Sequence, residues 1–189
     1  VSSEIFYDNI LINSNMIRLY PALQNDKDAL EFIRKVYMKS FPEDERREFS
    51  RVIELLAGNP LFHIVVLRNE REENVGFISY WEWEHLVYVE HFAVEERWRG
   101  SGYGAGALKS FLDEVKLPVV LEVEKPENEM SRRRIGFYER LGFKLWPQYL
   151  YIQPPYEKGK QSLELYLMTY GDINTVSYTH LRAHETGRN

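Results

Sequence analysis

The chain has 189 residues, a formal net charge of −5 and no cysteine. That length suits one domain, and the missing thiols exclude disulfides, thiolate metal centres and a cysteine nucleophile. The acidic balance speaks against nucleic acid as the main partner. No apolar run approaches the roughly 20 residues that cross a bilayer, and the N-terminus shows no basic stretch followed by an apolar one. A cytoplasmic protein without a membrane partner or a metal is the expectation.

Taken in chain order, Met16 to Tyr20 alternates apolar and polar residues and predicts a short strand. Asn25 or Asp26 caps a helix running to Ser40, with Leu30, Ile33, Val36 and Tyr37 on one face. Phe41-Pro42 breaks it, and Glu43 to Ala57 predicts a second helix stopped by Gly58-Asn59-Pro60. Leu61 to Leu67, Val75 to Trp83 and Leu86 to Val94 predict an antiparallel meander. In the middle strand, Val75, Phe77, Ser79, Trp81 and Trp83 share one face by alternation, and Gly76, Ile78 and Tyr80 the other. The pattern then changes to a helix from about Gly104 to Lys116, stopped by Pro118, followed by an almost wholly apolar strand from Val119 to Glu124. A further helix covers Met130 to Leu141 and closes at Gly142, and strands at 144–152 and 163–169 complete the fold. The order βααβββαβαββ is a mixed α/β domain, expected over residues 1–175, in which the crossover between Leu86 and Val123 joins parallel strands.

The start at Val1 rather than Met points to a processed or truncated beginning. The stretch from Val176 to Thr186 resembles a translated transposon-end sequencing adapter of the kind met in shotgun, metagenomic libraries. Residues 176–189 are therefore expected to be a non-native or disordered tail. Its His180 and His184 stand four apart and mimic a metal pair only in spacing.

The segment Phe92-Ala93-Val94-Glu95-Glu96-Arg97-Trp98-Arg99-Gly100-Ser101-Gly102-Tyr103-Gly104 carries the chemistry. It is a strand, a turn and glycines opening a helix. Glycines let a backbone approach a bulky anion and surround it with N–H groups, and the helix N-terminus adds partial positive charge. A phosphate P-loop needs Gly-Lys-Ser/Thr, which is absent. Gly100, Gly102, Gly104 and Gly106 are spaced by two and give no clean dinucleotide fingerprint.

Val94 to Gly104 resembles the acyl-CoA signature of the GNAT superfamily of N-acetyltransferases, Arg/Gln-x-x-Gly-x-Gly/Ala, met here by Arg99, Gly102 and Gly104. Leu121-Glu122-Val123 and the later Phe137-Tyr138-Glu139-Arg140-Leu141-Gly142-Phe143 resemble the family's next strand and its Tyr-x-x-x-Gly-Phe helix end. The resemblance covers roughly 16–170 and implies a GNAT-like mixed sheet with splayed central parallel strands. It implies acetyl-CoA as cosubstrate, with the backbone of Phe92, Ala93 and Val94 along the pantetheine arm and Arg99, Gly100, Ser101, Gly102, Tyr103 and Gly104 around the pyrophosphate. Many members carry Asn where this chain has Ser131, and the nearest Asn is Asn128.

Amide formation needs the amine to lose a proton, donors for the oxyanion, and help for the departing thiolate. Tyr138 is the candidate acid, since the family's Tyr lies beside the cofactor sulfur. Glu122 is the first candidate base: it interrupts an apolar strand, where burial would raise its pKa, and Leu-Glu-Val resembles ribosomal-protein alanine acetyltransferases. Its structural alternative is an ion pair with one of Arg132 to Arg134, which could instead meet the 3′-phosphate. Glu90 is the second candidate, placed by alternation with Phe92 and Val94 while His91 points away. The acceptor side is assigned to residues 40–47, to Tyr80, Trp81 and Trp83, and to residues 149–156, an acidic and aromatic lining suited to a cationic amine. The expected activity is acetyl transfer to a primary amine of a small molecule or protein by direct attack in a ternary complex, in a monomer or homodimer. The alternatives are a longer acyl chain and a non-catalytic acyl-CoA sensor.

Overall fold

Seven strands form a single sheet in the order β1-β2-β3-β4-β5-β7-β6 in a computed structural model that describes residues 17–173. The strands are β1 Arg18–Pro21, β2 Phe62–Arg68, β3 Asn74–Glu82, β4 Val87–Val94, β5 Val119–Glu124, β6 Lys144–Gln153 and β7 Leu163–Tyr170. The α-helices are α1 Lys27–Ser40, α2 Phe49–Gly58, α3 Tyr103–Val115 and α4 Glu129–Arg140. Met16 and the 176–189 tail lie outside the described residues. Neighbouring strands run antiparallel from β1 to β4. The crossover through α3 then sets β5 parallel to β4, as expected for a strand–helix–strand unit. A final hairpin inserts β7 against β5 and leaves β6 at the edge.

Two cores sandwich the sheet. On one face Tyr103, Ala107, Leu108 and Phe111 of α3 and Ile135 and Tyr138 of α4 meet Val87, Val89 and Leu121. On the other, Ala29, Ile33, Val36 and Tyr37 of α1 and Val52 of α2 meet Phe77, Trp81, Tyr88 and Val120. β5 is apolar almost throughout because Val119, Leu121 and Val123 serve the first core and Val120 the second. Each such side chain, fully buried, contributes about 1.5–3 kcal/mol.

Local signals set the helix ends. Asp26 Oδ1 accepts from the Ala29 amide at 3.1 Å and caps α1, and Phe41 before Pro42 leaves the helical region. Asn128 and Ser131 form a reciprocal capping box at the start of α4. Gly142, at φ +93°, ends that helix in the left-handed region that glycine enters without penalty.

The single helix expected from Glu43 to Ala57 is instead a 3-10 turn at Glu43–Glu45 and then α2. Arg46 between them is extended, at φ −145° and ψ 155°. The break turns Arg47 inward, where its amide donates to the Tyr37 hydroxyl at 2.8 Å and its guanidinium reaches β4. Val75 packs with Ile78 rather than with Phe77. A register shift at Leu67/Arg68 leaves Val75 with no opposite residue, and such a bulge resets the alternation.

Candidate active site

The two central parallel strands separate where the signature predicts a cleft. β4 and β5 pair only at Val87–Val119, Tyr88–Val120 and Val89–Leu121. Beyond that point β5 continues against β7, with Glu122, Val123 and Glu124 opposite Leu167, Tyr166 and Leu165. β4 from His91 to Val94 stays with β3. A cavity of about 510 Å³ opens between the parted halves, and Phe92, Ala93 and Val94 form one wall and Glu122, Val123 and Glu124 the other.

The glycine turn closes one end. Gly100 at φ +77° and Gly102 at φ +82° are both left-handed, which glycine tolerates and a side chain resists. A β-carbon on Gly100 would meet nothing within 4 Å, so open space lies beside the turn. One on Gly104 would touch Val94, Phe92 and Phe137 at 3.6–3.8 Å, ordinary contact, so the protein's own packing does not demand glycine there. No side chain caps α3, and its first turn closes with Gly106 N–H donating to Gly102 C=O at 3.0 Å. The amides of Tyr103, Gly104 and Ala105 thus precede any intrahelical acceptor and form an anion-seeking mouth. Tyr103 offers only backbone, because its ring is buried edge-on to Trp98 and its hydroxyl donates to Glu70 at 3.4 Å. The Ser101 side chain is exposed beside the mouth. Arg99 Nε donates to Val94 C=O at 3.0 Å and its Nη2 to Ser40 Oγ at 3.3 Å, so the guanidinium is held at the cavity's edge. Lys39 lines the same end and was missed in the sequence because it reads as a solvated helix terminus. Arg132 donates to Pro126 C=O at 3.0 Å, Arg133 pairs with Glu129 at 2.6 Å, and Arg134 pairs with Glu124.

The opposite end is acidic. Glu122 is half-buried in the cavity wall. Tyr138 lines the cavity from α4, wedged between Phe137 and Phe143, and burial pushes its phenol up to about 12, with Arg134 opposing and Glu124 assisting. The group is a neutral donor throughout the neutral range. Glu45 also lines this end, and its carboxyl is raised by burial and by the nearby Glu124 and Asp44, against Arg134.

Glu90 is not on the Phe92 face where alternation puts it. Ser79 pairs with His91 and Tyr80 with Val89, so Glu90 is the extra residue of a β-bulge. Glu90 and His91 consequently both serve the α1–α2 side. The Glu90 side chain is 1% exposed and accepts from Arg47 Nη2 at 3.0 Å. His91, expected to point the opposite way, has its Nδ1 3.7 Å from Glu90 Oε2. Its ring sits against Phe41 and Tyr37, and its Nε2–H donates to Glu45 C=O at 2.9 Å. Neighbouring Asn128 and Ser131 are engaged in the α4 cap rather than turned to the cavity. The aromatic acceptor lining departs from expectation at Tyr80, Trp81 and Trp83 but not in the segments 40–47 and 149–156. Tyr80 packs on Phe111, Trp81 on Phe62 and Trp83 on Tyr88, whereas Phe41 and Tyr156 line the cavity.

Among the described residues no cluster of three or more metal-type side chains occurs, and no helix is long and apolar enough to cross a membrane. The model of the acetyltransferase (GNAT) family matches residues 30–143. A protein from Bacteroides thetaiotaomicron assigned to the GNAT acetyltransferases is 37% identical, with a TM-score of 0.83 over 88% of this chain and 94% of its own. A spermidine N-acetyltransferase from Vibrio cholerae shares the fold alone, at 14% identity and a TM-score of 0.60 over 86% of this chain and 96% of its own. No curated protein matches the chain. With the family model spanning more than half its length and a relative of this similarity along nearly all of it, the chain belongs to the GNAT family of acetyltransferases.

Proposed function

We propose that the protein is an N-acetyltransferase that moves an acetyl group from acetyl-CoA to a primary amine by direct attack. The observation that carries this reading is the parting of β4 and β5 after Val89 and Leu121, between an amide-lined helix mouth and a carboxylate-lined pocket. One end of the cleft suits an anion and the other a cation, at a separation the parted strands bridge.

When bound, acetyl-CoA supplies the thioester carbonyl and the thiolate leaving group. The amides of Tyr103, Gly104 and Ala105, with Arg99 and the turn at Gly100, Ser101 and Gly102, hold the diphosphate. The edge of β4 at Phe92, Ala93 and Val94, unpaired with β5, aligns the arm and offers an amide to the developing oxyanion. Glu122 takes the ammonium proton, directly or through water, so the amine nitrogen can attack. The amine nitrogen bonds to the thioester carbon, the adduct loses its second amine proton to water, and the carbonyl re-forms as the C–S bond breaks, with Tyr138 donating a hydrogen bond to the departing sulfur and water supplying its proton. Glu90 is the poorer base, since Arg47 stabilises its charged form and the Arg47–Glu90 pair is shielded from solvent.

The test is thiol release from acetyl-CoA in the presence of primary amines. Amine-dependent release, with an acetylated product of matching mass, is the expected result. Coenzyme A binding without turnover across a broad amine panel would replace the reading with a sensor.

A further inference from the structure

The cavity's acceptor half is walled by the β6–β7 hairpin, whose residues Gln153, Tyr156 and Leu163 line it. The tip of that hairpin is tied to the segment between α1 and α2, more than 100 positions away in sequence. Glu48 N–H donates to Glu157 Oε1 at 2.8 Å. The Lys160 ammonium donates to Arg46 C=O at 2.6 Å, and its side chain is only 8% exposed. Gln161 N–H donates to Asp44 Oδ1 at 3.3 Å. The Glu157 carboxyl is correspondingly held low, first by the Glu48 amide and then by Lys160 and Arg47.

Arg47 joins these ties to the cleft floor. Its guanidinium carbon lies 4.7 Å above the Tyr156 ring while its Nη2 donates to Glu90 at 3.0 Å. A guanidinium stacks on an aromatic face and forks to a carboxylate at once, which an ammonium does not. A pair this buried resists separation, because either partner alone would be an uncompensated charge. The extended break at Arg46 and the bulge at Glu90 exist on opposite sides of this one contact.

We propose that Arg47, clamped between Glu90 and Tyr156, is a positioning residue that holds the 154–161 tip closed over the acceptor half of the cleft, restricting acceptors to small cationic amines and excluding amines carried on polypeptides. The inference rests on the N-acetyltransferase reading. A cavity of about 510 Å³ is of small-molecule size and must also admit the acyl arm. A polypeptide laid across it would need the space that the tip fills. Glu45 and Glu122 favour a positively charged acceptor in what remains, Glu124 being paired with Arg134.

The experiment compares acetyl transfer to short linear diamines with transfer to a lysine-containing hexapeptide, in the native protein and in the Tyr156→Ala, Lys160→Met, Arg47→Gln and Arg47→Lys variants. The native protein should prefer the diamine by about 100-fold or more in kcat/KM. Tyr156→Ala, Lys160→Met and Arg47→Gln should each raise the diamine KM and shrink that preference by about tenfold, with the acetyl-CoA KM unchanged; Arg47→Lys should restore part of it. Amide hydrogen exchange over 154–161 should rise in the same variants about tenfold while α3 stays protected. Peptide transfer by the native protein within about tenfold of the diamine would overturn the inference and leave the enzyme reading standing. So would variants that alter both KM values together or leave exchange in the tip unchanged. Transfer to neither acceptor would overturn both.

Discussion

Replacing Tyr138 with Phe removes one hydroxyl from the cleft wall and leaves the ring between Phe137 and Phe143. The phenol stands at about 12, whereas an ordinary thiol has a pKa of about 8.5. Complete proton transfer from this phenol to a thiolate therefore runs uphill by about 3.5 units, or about 5 kcal/mol. Hydrogen-bond donation as charge builds on sulfur is the contribution that remains, with solvent completing protonation. The expected loss in kcat is consequently near the lower end of the range for a positioned acid, about 100-fold or ~2.7 kcal/mol. Thiol release at saturating amine measures it, and calorimetry with coenzyme A should find affinity unchanged within about twofold. The raised phenol also ties stability to pH. Its folded value lies above the unfolded value of 10.0, so its contribution is complete below that pH and is lost as pH rises through about 12. Denaturant unfolding across that window should fall more steeply in the native protein than in Tyr138→Phe, by on the order of 2–3 kcal/mol in total. An undiminished kcat would refute the donor role. A basic limb near neutral pH that vanishes in the variant would refute the high phenol pKa and the argument built on it.

Glu122→Gln should lower kcat/KM about 100- to 10,000-fold and remove the acidic limb of its pH profile, and a retained limb would assign the base elsewhere. Gly102→Glu should weaken coenzyme A binding by about 100-fold, by setting a carboxylate where two charge-assisted hydrogen bonds belong. The accompanying strain at φ +82° is about 1–2 kcal/mol, partly offset by the acid's favourable place at a helix start, so thermal unfolding separates a lost site from a lost fold. Asn128→Ala should cost about 1 kcal/mol and lower Tm by about 2–4 °C, with coenzyme A affinity intact. Lost affinity at unchanged Tm would instead make Asn128 a cofactor contact.

Much of the fold was legible because its signals are local. Asp26 and Ser40 bracket α1 by cap and following Pro42, Pro118 fixes where β5 begins, and the glycines at 100 and 102 announce a turn that side chains resist. The acceptor half was legible only as a list of segments. Alternation counts positions, and nothing in Val89-Glu90-His91-Phe92 marks the inserted residue, just as nothing in the wholly charged run from Glu43 to Glu48 marks a break at Arg46. Both irregularities flank one tertiary contact, Arg47 to Glu90. Without the bulge, alternation from Tyr88 would still set Glu90 on the α1–α2 face, but His91 would fall with Val87 and Val89 over the α3 core, where Leu108 and Phe111 offer an imidazole no partner. Burying a polar ring without a partner there costs more than one strand irregularity. The bulge sets His91 beside Glu90 on the face on which Arg47 arrives, and the break in the second helix is what lets Arg47 arrive. Each departure serves a contact made by the other segment, so a sequence reading that weighs each segment separately reads past both.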